Sequence, residues 1–100
     1  MWLTQELQFP GDHPTAAGHF PGNPIVPGAL LLDAVVAAIA GGNNAVIIRA
    51  TKFLQPVRHG EHLQLRWQPL GGALFRYECR RAGDDTLAMS GTLETGAATP

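Results

Sequence analysis

Residues 28–40, "GALLLDAVVAAIA", are the one segment of this chain whose pattern predicts a good helix. Pro27 suits the first turn of a helix, and Gly41 with Gly42 would end it. Every side chain in the segment except that of Asp33 is apolar or absent. A helix that is apolar all round is enclosed on several sides rather than laid on a surface. The rest of the chain must therefore provide that enclosure.

Strand patterns fill most of the remaining chain. Alternating or β-branched apolar residues predict five strands, at residues 2–9, 45–54, 61–69, 73–81 and 86–94. Short glycine-rich turns separate the last three strands, which predicts an antiparallel meander. No helical pattern separates these strands, and this argues against a parallel β/α fold. One apolar helix and one antiparallel sheet that curls round it make an α+β domain.

Length and composition narrow the functional class. One hundred residues form a single domain, 1–100, of a size that buries a substantial core. The net charge of −1 carries no basic excess of the kind that nucleic acids attract. Residues 25–40 are too short for a spanning helix of about 20 residues, and the first residues lack a signal-peptide pattern. The single cysteine, Cys79, suits a reducing compartment. We expect a cytoplasmic protein that binds neither nucleic acid nor membrane.

A loop rich in proline and glycine precedes the helix. Residues 10–27 hold five of the eight prolines, and because proline restricts the backbone, the loop should be shaped rather than floppy. His19 lies in this loop, and its imidazole titrates in the range of a general base. After the loop, the helix start offers unpaired backbone N–H groups and a partial positive charge. Gly28 would let a carbonyl oxygen approach those groups, as in an oxyanion hole.

Asp33 is the single charge on the apolar helix. A buried carboxylate costs several kcal/mol unless it is paired, and burial raises its pKa towards the range useful for proton transfer. Structural roles are available to the same residue, namely capping, an ion pair with a residue such as Arg49, or partial exposure. The residues alone leave open whether Asp33 and His19 act in catalysis or have separate structural roles.

The stretch "GHFPGNPIVPGALLLDA", residues 18–34, resembles the signature of the bacterial 3-hydroxyacyl-acyl carrier protein dehydratases of the FabA and FabZ type. That signature is a His-Phe-Pro-Gly-x-Pro loop, then Pro-Gly, then Glu or Asp followed by Ala on the central helix. The later "ATKFLQPVRHGEHLQLR", residues 50–66, is similar to the family's strand that ends in proline and a glycine-acid turn. The likeness covers residues 17–94. It implies a hotdog fold, in which a curved antiparallel sheet wraps one long central α-helix.

The resemblance also implies an assembly and a set of catalytic roles. The expected assembly is a homodimer with active sites at the subunit interface, and higher oligomers stay open. His19 matches the histidine that removes or returns the proton next to the thioester carbonyl. Asp33 matches the acid that protonates the leaving hydroxyl or orients the water, and it comes from the other subunit. Gly28 matches the residue whose backbone N–H binds the carbonyl. No metal or organic cofactor is implied, because the thioester itself acidifies the α-carbon.

Substrate contacts follow from the same resemblance. Pro27, Phe20 and Phe53 are expected to bind the substrate, the two phenylalanines as lining of an acyl tunnel, although plain packing of both rings stays open. One position differs from the FabZ type, whose acid is Glu, and one differs from the pattern common in the family. The acid is Asp, as in the FabA type and in relatives that serve specialised lipid or polyene pathways, and Ala37 stands where the family often has Gln. These differences favour an accessory or pathway-specific enzyme.

Charged residues in the second half of the chain carry weaker signals. His59 and His62 have a spacing that metal ligands can have, but no compact ligand pattern accompanies them, so a surface turn is the better interpretation. All seven lysines and arginines lie between residues 49 and 81. They suit solvated strand faces, while Arg58 with Arg80 and Arg81 could instead meet the acidic face of a carrier protein.

Three functions are therefore carried forward. The first is a lyase that dehydrates a 3-hydroxyacyl thioester, held on acyl carrier protein or CoA, to the trans-2-enoyl thioester. The second is a hotdog-fold acyl thioesterase, although such enzymes typically lack the His-Phe-Pro-Gly-x-Pro loop. The third is a non-catalytic acyl-binding subunit, which Ala37 favours because it removes a polar neighbour of the acid.

Overall fold

The predicted strands and helix are present in the structure. A computed structural model describes residues 1–9, 25–41 and 45–96 of the chain. Its elements in chain order are β1 (Leu3–Gln8), α1 (Gly28–Ala40), β2 (Val46–Phe53), β3 (His62–Gly71), β4 (Leu74–Arg81) and β5 (Leu87–Thr95). Each predicted strand is confirmed to within about two residues at its ends, and the predicted helix is confirmed at both ends.

The five strands form one antiparallel sheet in the order β1-β3-β4-β5-β2. β3, β4 and β5 are neighbours both in sequence and in the sheet, which confirms the predicted meander. β2 follows the helix in sequence, yet it lies at one edge of the sheet and pairs with the last strand. β1 lies at the opposite edge and pairs with β3. One sheet and one helix confirm the α+β class.

The core lies between one face of the sheet and α1. The alternation predicted for β3 is present, since Leu63, Leu65 and Trp67 are all buried on this face. Leu31 and Val35 bring the helix into the same cluster. Burial of each large apolar side chain is worth about 1.5–3 kcal/mol. These contacts therefore fix the position of the helix on the sheet, and with it the position of the helix start.

The helix begins and ends as its flanking residues predict. The Pro27 carbonyl accepts hydrogen bonds from the N–H groups of Leu30 at 3.0 Å and Leu31 at 3.2 Å. Gly41 follows the last turn with a φ of 72°, a left-handed value that glycine adopts without a side-chain penalty. Within the described ranges, no helix is long and apolar enough to cross a bilayer.

The expected enclosure of the helix on several sides is wrong for the chain taken alone. Ala29, Asp33 and Ala37 are exposed, and their spacing of four residues places them on one face of α1. Leu31 and Val35 face the core instead. The reason is that the described residues supply one sheet, and one sheet covers one side of a helix. We name the exposed face, Ala29 with Asp33 and Ala37, the open face of α1.

A buried tyrosine joins β4 to the edge strand β2 through a gap in β5. Tyr77 is fully buried, and its hydroxyl oxygen lies 2.6 Å from that of Thr51 and 3.2 Å from the Ala50 carbonyl oxygen. Gly91 of β5 provides the gap, because a Cβ there would lie 2.5 Å from the Tyr77 hydroxyl and would overlap the Ala50 carbonyl. The register of β2 against β5 shifts between Ile48 and Ala50, next to this contact. Tyr77 thus holds the irregular part of β2.

Candidate functional site

An apolar cleft opens beside the start of α1. Its volume is about 330 Å³, at the lower end of the range for small-molecule sites. Three parts of the chain line it: the approach to the helix, the first turn of the helix, and the end of β2 with the segment that follows. The lining residues are Ile25, Val26, Gly28, Leu31, Phe53, Leu54, Gln55, Pro56 and Val57. Such a lining suits an apolar chain better than a charged ligand.

The helix start supplies polar groups at this cleft. The N–H groups of Leu30 and Leu31 donate to the Pro27 carbonyl, whereas no backbone carbonyl of the described residues accepts from Gly28 or Ala29. The first N–H groups of a helix carry partial positive charge and point outward. Gly28 lines the cleft, so its N–H is available to an oxygen that carries or develops negative charge there.

The ring of Phe53 stands against Gly28. A Cβ built on Gly28 would lie 3.0 Å from Cζ of Phe53 and 3.1 Å from its Cε1, which is tighter than ordinary van der Waals contact. Phe53 is the last residue of β2 and is 53% exposed, so this ring is not packed in the core. A side chain at residue 28 would therefore hinder approach to the backbone and would also press on the Phe53 ring, which would have to shift. The spacing of residues in the sequence did not reveal that Phe53 lies against Gly28 at the helix start.

The segment 54–57, which we name the cleft wall, is tied to the sheet and to the helix start. The N–H groups of Leu54 and Gln55 donate to the Ala88 carbonyl at 2.8 and 3.3 Å. The Val57 carbonyl accepts from the N–H of Val26 at 2.7 Å. The wall is therefore held by β5 at one end and by the residues that lead into α1 at the other.

Asp33 lies outside this cleft. It follows Gly28 by about one and a half helical turns, but it belongs to the open face of α1 and does not line the cleft. The expectation that its carboxylate is buried is wrong for the single chain, because the sheet covers the opposite side of the helix. Among the described residues its carboxylate has neither a hydrogen bond nor an ion pair, and Arg49 pairs with Glu94 instead, at 2.6 Å.

The structure brings together three of the six site residues expected from the sequence. Pro27 caps the helix start, where Gly28 and Phe53 are in contact. His19 and Phe20 lie outside the described residues. The apolar cleft, the free N–H of the helix start and the aromatic ring thus form the described part of the site.

Two other titratable residues, Cys79 and His62, do not line the cleft. Cys79 is buried in β4, and burial raises the pKa of its thiol to about 11, so it is uncharged near neutral pH. His62 Nδ1 lies 2.7 Å from the Glu6 carboxylate. Within the described ranges, no group of three or more histidine, cysteine or acidic side chains could hold a metal ion.

The two arginines at the end of β4 also have local partners. Arg80 lies 3.5 Å from Glu78, and Arg81 lies 3.5 Å from Glu61. These acids reduce the positive charge that an acidic carrier protein would meet at this surface. Arg58 is exposed, with its backbone N–H bound to Glu61.

Curated relatives of this chain are dehydratases. The 3-hydroxyacyl-[acyl-carrier-protein] dehydratase FabZ of Syntrophotalea carbinolica is 31% identical over 97 residues, which covers 83% of this chain and 66% of that enzyme. The enzyme of the same name from Campylobacter concisus is 31% identical over 100 residues, covering 81% of this chain and 68% of that enzyme. The chain thus spans about two thirds of the length of these relatives.

A solved structure shares the fold, and the family model covers most of the chain. The dehydratase heterocomplex ApeI:P from Xenorhabdus doucetiae aligns with a TM-score of 0.77 at 21% identity, over 96% of this chain and 88% of that one. At this identity the likeness establishes the fold, and it confirms the hotdog architecture. Residues 2–92 match the family model of ApeI-like proteins, described as ApeI dehydratase. This chain therefore belongs to the ApeI-like dehydratase family.

Proposed function

We propose that the chain dehydrates a 3-hydroxyacyl thioester on acyl carrier protein to the trans-2-enoyl thioester, in fatty acid biosynthesis or a related lipid or polyene pathway. The observation that carries this proposal is Gly28, which lines an apolar cleft and presents its backbone N–H there. An acyl thioester has a carbonyl oxygen for the N–H and an apolar chain for the cleft. The FabZ relatives act, by name, on this substrate class.

The proposed reaction needs one base, one acid and one stabilised oxygen. His19 takes the proton from the carbon next to the thioester carbonyl, and the Gly28 N–H stabilises the negative charge that develops on the carbonyl oxygen. Asp33 gives a proton to the hydroxyl of the next carbon, so that its C–O bond breaks as the C=C bond forms. Water leaves, and a proton passes from His19 to Asp33 through solvent to restore both groups.

In this proposal the complete site lies between two copies of the chain. Asp33 is on the open face of α1 rather than in the cleft, so one chain does not join the acid to Gly28. β2 is an edge strand, and its exposed Ile47 and Phe53 would be covered by a second strand. Pairing of two β2 edges gives a homodimer in which one subunit contributes His19 and the other Asp33.

Hydration of a short trans-2-enoyl thioester, followed as loss of its conjugated absorbance, tests the proposal. Wild type, His19→Ala and Asp33→Asn are assayed with carrier-protein and CoA thioesters. The matched control is Asp85→Asn, because Asp85 is exposed in the turn before β5 with a φ of 59°, which asparagine also adopts. Loss of a general acid or base lowers a rate by about 10²- to 10⁴-fold. We expect both site variants to fall by that factor without unfolding, and the control to keep the wild-type rate.

A thiol-trapping reagent in a parallel reaction separates the alternatives. Release of free thiol without hydration would identify a thioesterase. Carrier binding with neither reaction would identify a non-catalytic acyl-binding subunit. Ala37 favours this last alternative, since it follows Asp33 by one turn on the open face and brings no polar group to the carboxylate. Either result would overturn the dehydratase proposal.

A further inference from the structure

We infer that Arg81 is a positioning residue for the acyl cleft, because its guanidinium binds the carbonyl of Pro56 in the cleft wall. The identification of the cleft's ligand as an acyl thioester rests on the proposed function. The contact itself is a feature of the fold. Arg81 is the last residue of β4, and Pro56 lies in the middle of the cleft wall, 25 residues away in sequence.

The contact is a charge-assisted hydrogen bond. Nη2 of Arg81 donates to the Pro56 carbonyl oxygen at 2.8 Å. Bonds of this kind are roughly twice as strong as those between neutral groups. The Arg81 side chain is 23% exposed, and Pro56 lies at the surface, so the bond forms at the edge of the fold and is open to solvent. Proline has no backbone N–H, and this carbonyl is therefore the only backbone group by which residue 56 can be held.

Two acids keep the guanidinium in place. Oε2 of Glu61 lies 3.5 Å from Nε of Arg81, and Oδ2 of Asp84 lies 3.7 Å from Nη1. Nε is buried and has no hydrogen-bond partner among the described residues, so Glu61 attracts it without forming a hydrogen bond. Oε1 of Glu61 also accepts from the backbone N–H of Arg58 at 2.6 Å. Glu61 thereby links the arginine to the residue that follows the wall.

Arg81 supports the one part of the wall that backbone bonds do not hold. Gln55 is bound to Ala88, and Val57 is bound to Val26. Pro56 lies between them and is held by Arg81. Loss of this bond would free the middle of the wall while the N–H groups at the helix start stay in place. Binding of the acyl chain should then weaken, whereas the chemical step should keep its rate.

The test compares Arg81→Met, Arg81→Lys and the control Arg76→Met. Arg76 is exposed in the same strand, so its substitution removes a similar side chain and the same charge. Amide hydrogen exchange is measured at Gln55 and Val26, whose N–H groups form the backbone bonds on either side of Pro56. KM and kcat are measured with enoyl thioesters of short and longer chains. For Arg81→Met we expect exchange and KM to rise about tenfold, the factor that corresponds to about 1.4 kcal/mol. We expect kcat within about twofold of wild type and partial recovery in Arg81→Lys.

Three results would overturn the inference: exchange that matches the Arg76→Met control, a KM that stays at the wild-type value, or a fall in kcat alone. If the wild type turns over no thioester, the proposed function fails separately. The exchange measurement then decides on Arg81 by itself. Faster exchange at Gln55 and Val26 supports its hold on the wall, and unchanged exchange refutes it.

Discussion

The two edge strands of the sheet, β1 and β2, present different chemistry to their surroundings. β1 exposes the polar side chains of Thr4, Gln5, Glu6 and Gln8, and Leu3 is its one exposed apolar residue. Polar and charged side chains on an edge discourage pairing with another strand. Glu6 also binds His62 of the neighbouring strand, which keeps it at the sheet surface. β1 is therefore suited to stay an exposed edge of the sheet without a further strand beside it.

β2 combines charged residues with more exposed apolar side chains than β1. Ile47, Ile48 and Phe53 are exposed on it, and the cations Arg49 and Lys52 lie between them. A strand with exposed apolar side chains and unpaired backbone groups is a template for another strand. The comparison teaches that β1 suits an exposed edge of the sheet, whereas β2 has the features of a pairing edge. Under the proposed function, β2 also carries the ring that faces the thioester.

The largest effect should come from filling the gap that lets Tyr77 reach β2. In Gly91→Ala the added methyl group would overlap the Ala50 carbonyl and press on the Tyr77 hydroxyl, so β2 must shift. Overpacking of this kind costs about 3 kcal/mol. Urea unfolding measures the loss. Gly83→Ala is the control, because nothing lies within 4 Å of its added Cβ and its stability should change by less than about 0.5 kcal/mol. Equal losses in both variants would contradict this account of β2.

A charge on each edge tests the comparison directly. Ile47 of β2 and Leu3 of β1 are similarly exposed, at 48% and 54%. Ile47→Lys should weaken the proposed dimer by about 2 kcal/mol, roughly thirtyfold in Kd, because a lysine there would be desolvated or would separate the strands. Leu3→Lys should leave the dimer unchanged. Sedimentation equilibrium measures both, and equal sensitivity of the two edges would refute the assignment of the interface to β2.

Removal of the Tyr77 hydroxyl should have an intermediate effect. Tyr77→Phe keeps the ring but leaves the Thr51 hydroxyl and the Ala50 carbonyl without this partner. Loss of such a buried bond costs about 1.5 kcal/mol. Hydrogen exchange should become faster in β2 and stay unchanged in β1. A uniform increase over both edges would show that the hydroxyl does not act on β2 in particular.

The smallest effect concerns the ion pairs of Glu78 in β4, the strand next but one to β1. Burial favours the neutral form of Glu78, but the hydrogen bonds and charges of Arg66 and Arg80 outweigh it, so its pKa lies below the ordinary 4.5. A lowered native pKa gives stability that is present above the unfolded value and is lost as the pH falls through the native one. We expect Glu78→Gln to cost about 1 kcal/mol or less at pH 7. That difference should shrink below about pH 4.5 in urea titrations, and a difference independent of pH would exclude the ion pair as its cause.

Local patterns predicted the elements of this fold well. The helix boundaries were predictable because Pro27 and Gly41 act on their own neighbours in the chain. The strand assignments were predictable because alternation in a strand such as β3 reflects one buried and one exposed face. The positions of Gly28 and Pro27 at the helix start follow from the same local rules.

Features that depend on distant residues were not predictable in this way. Burial of Asp33 depends on what covers the open face of α1, and an apolar sequence does not tell whether its own chain or another supplies the cover. The gap at Gly91 depends on the register of three strands, and the contact of Arg81 with Pro56 joins the end of β4 to the cleft wall, far apart in sequence. Their side chains carry no periodic signal that would have revealed these contacts.

The place of β2 in the sheet sets an order of events during synthesis. β2 follows the helix in sequence, but its partner is β5, the last strand among the described residues, with Val46 paired to Thr95. Such a distant pairing closes a long loop and forms late. Until β5 has been made, β2 has no neighbour in the sheet, and Leu54 has no Ala88 carbonyl to bind. The cleft beside the start of α1 therefore takes its final shape only after β5 has been made.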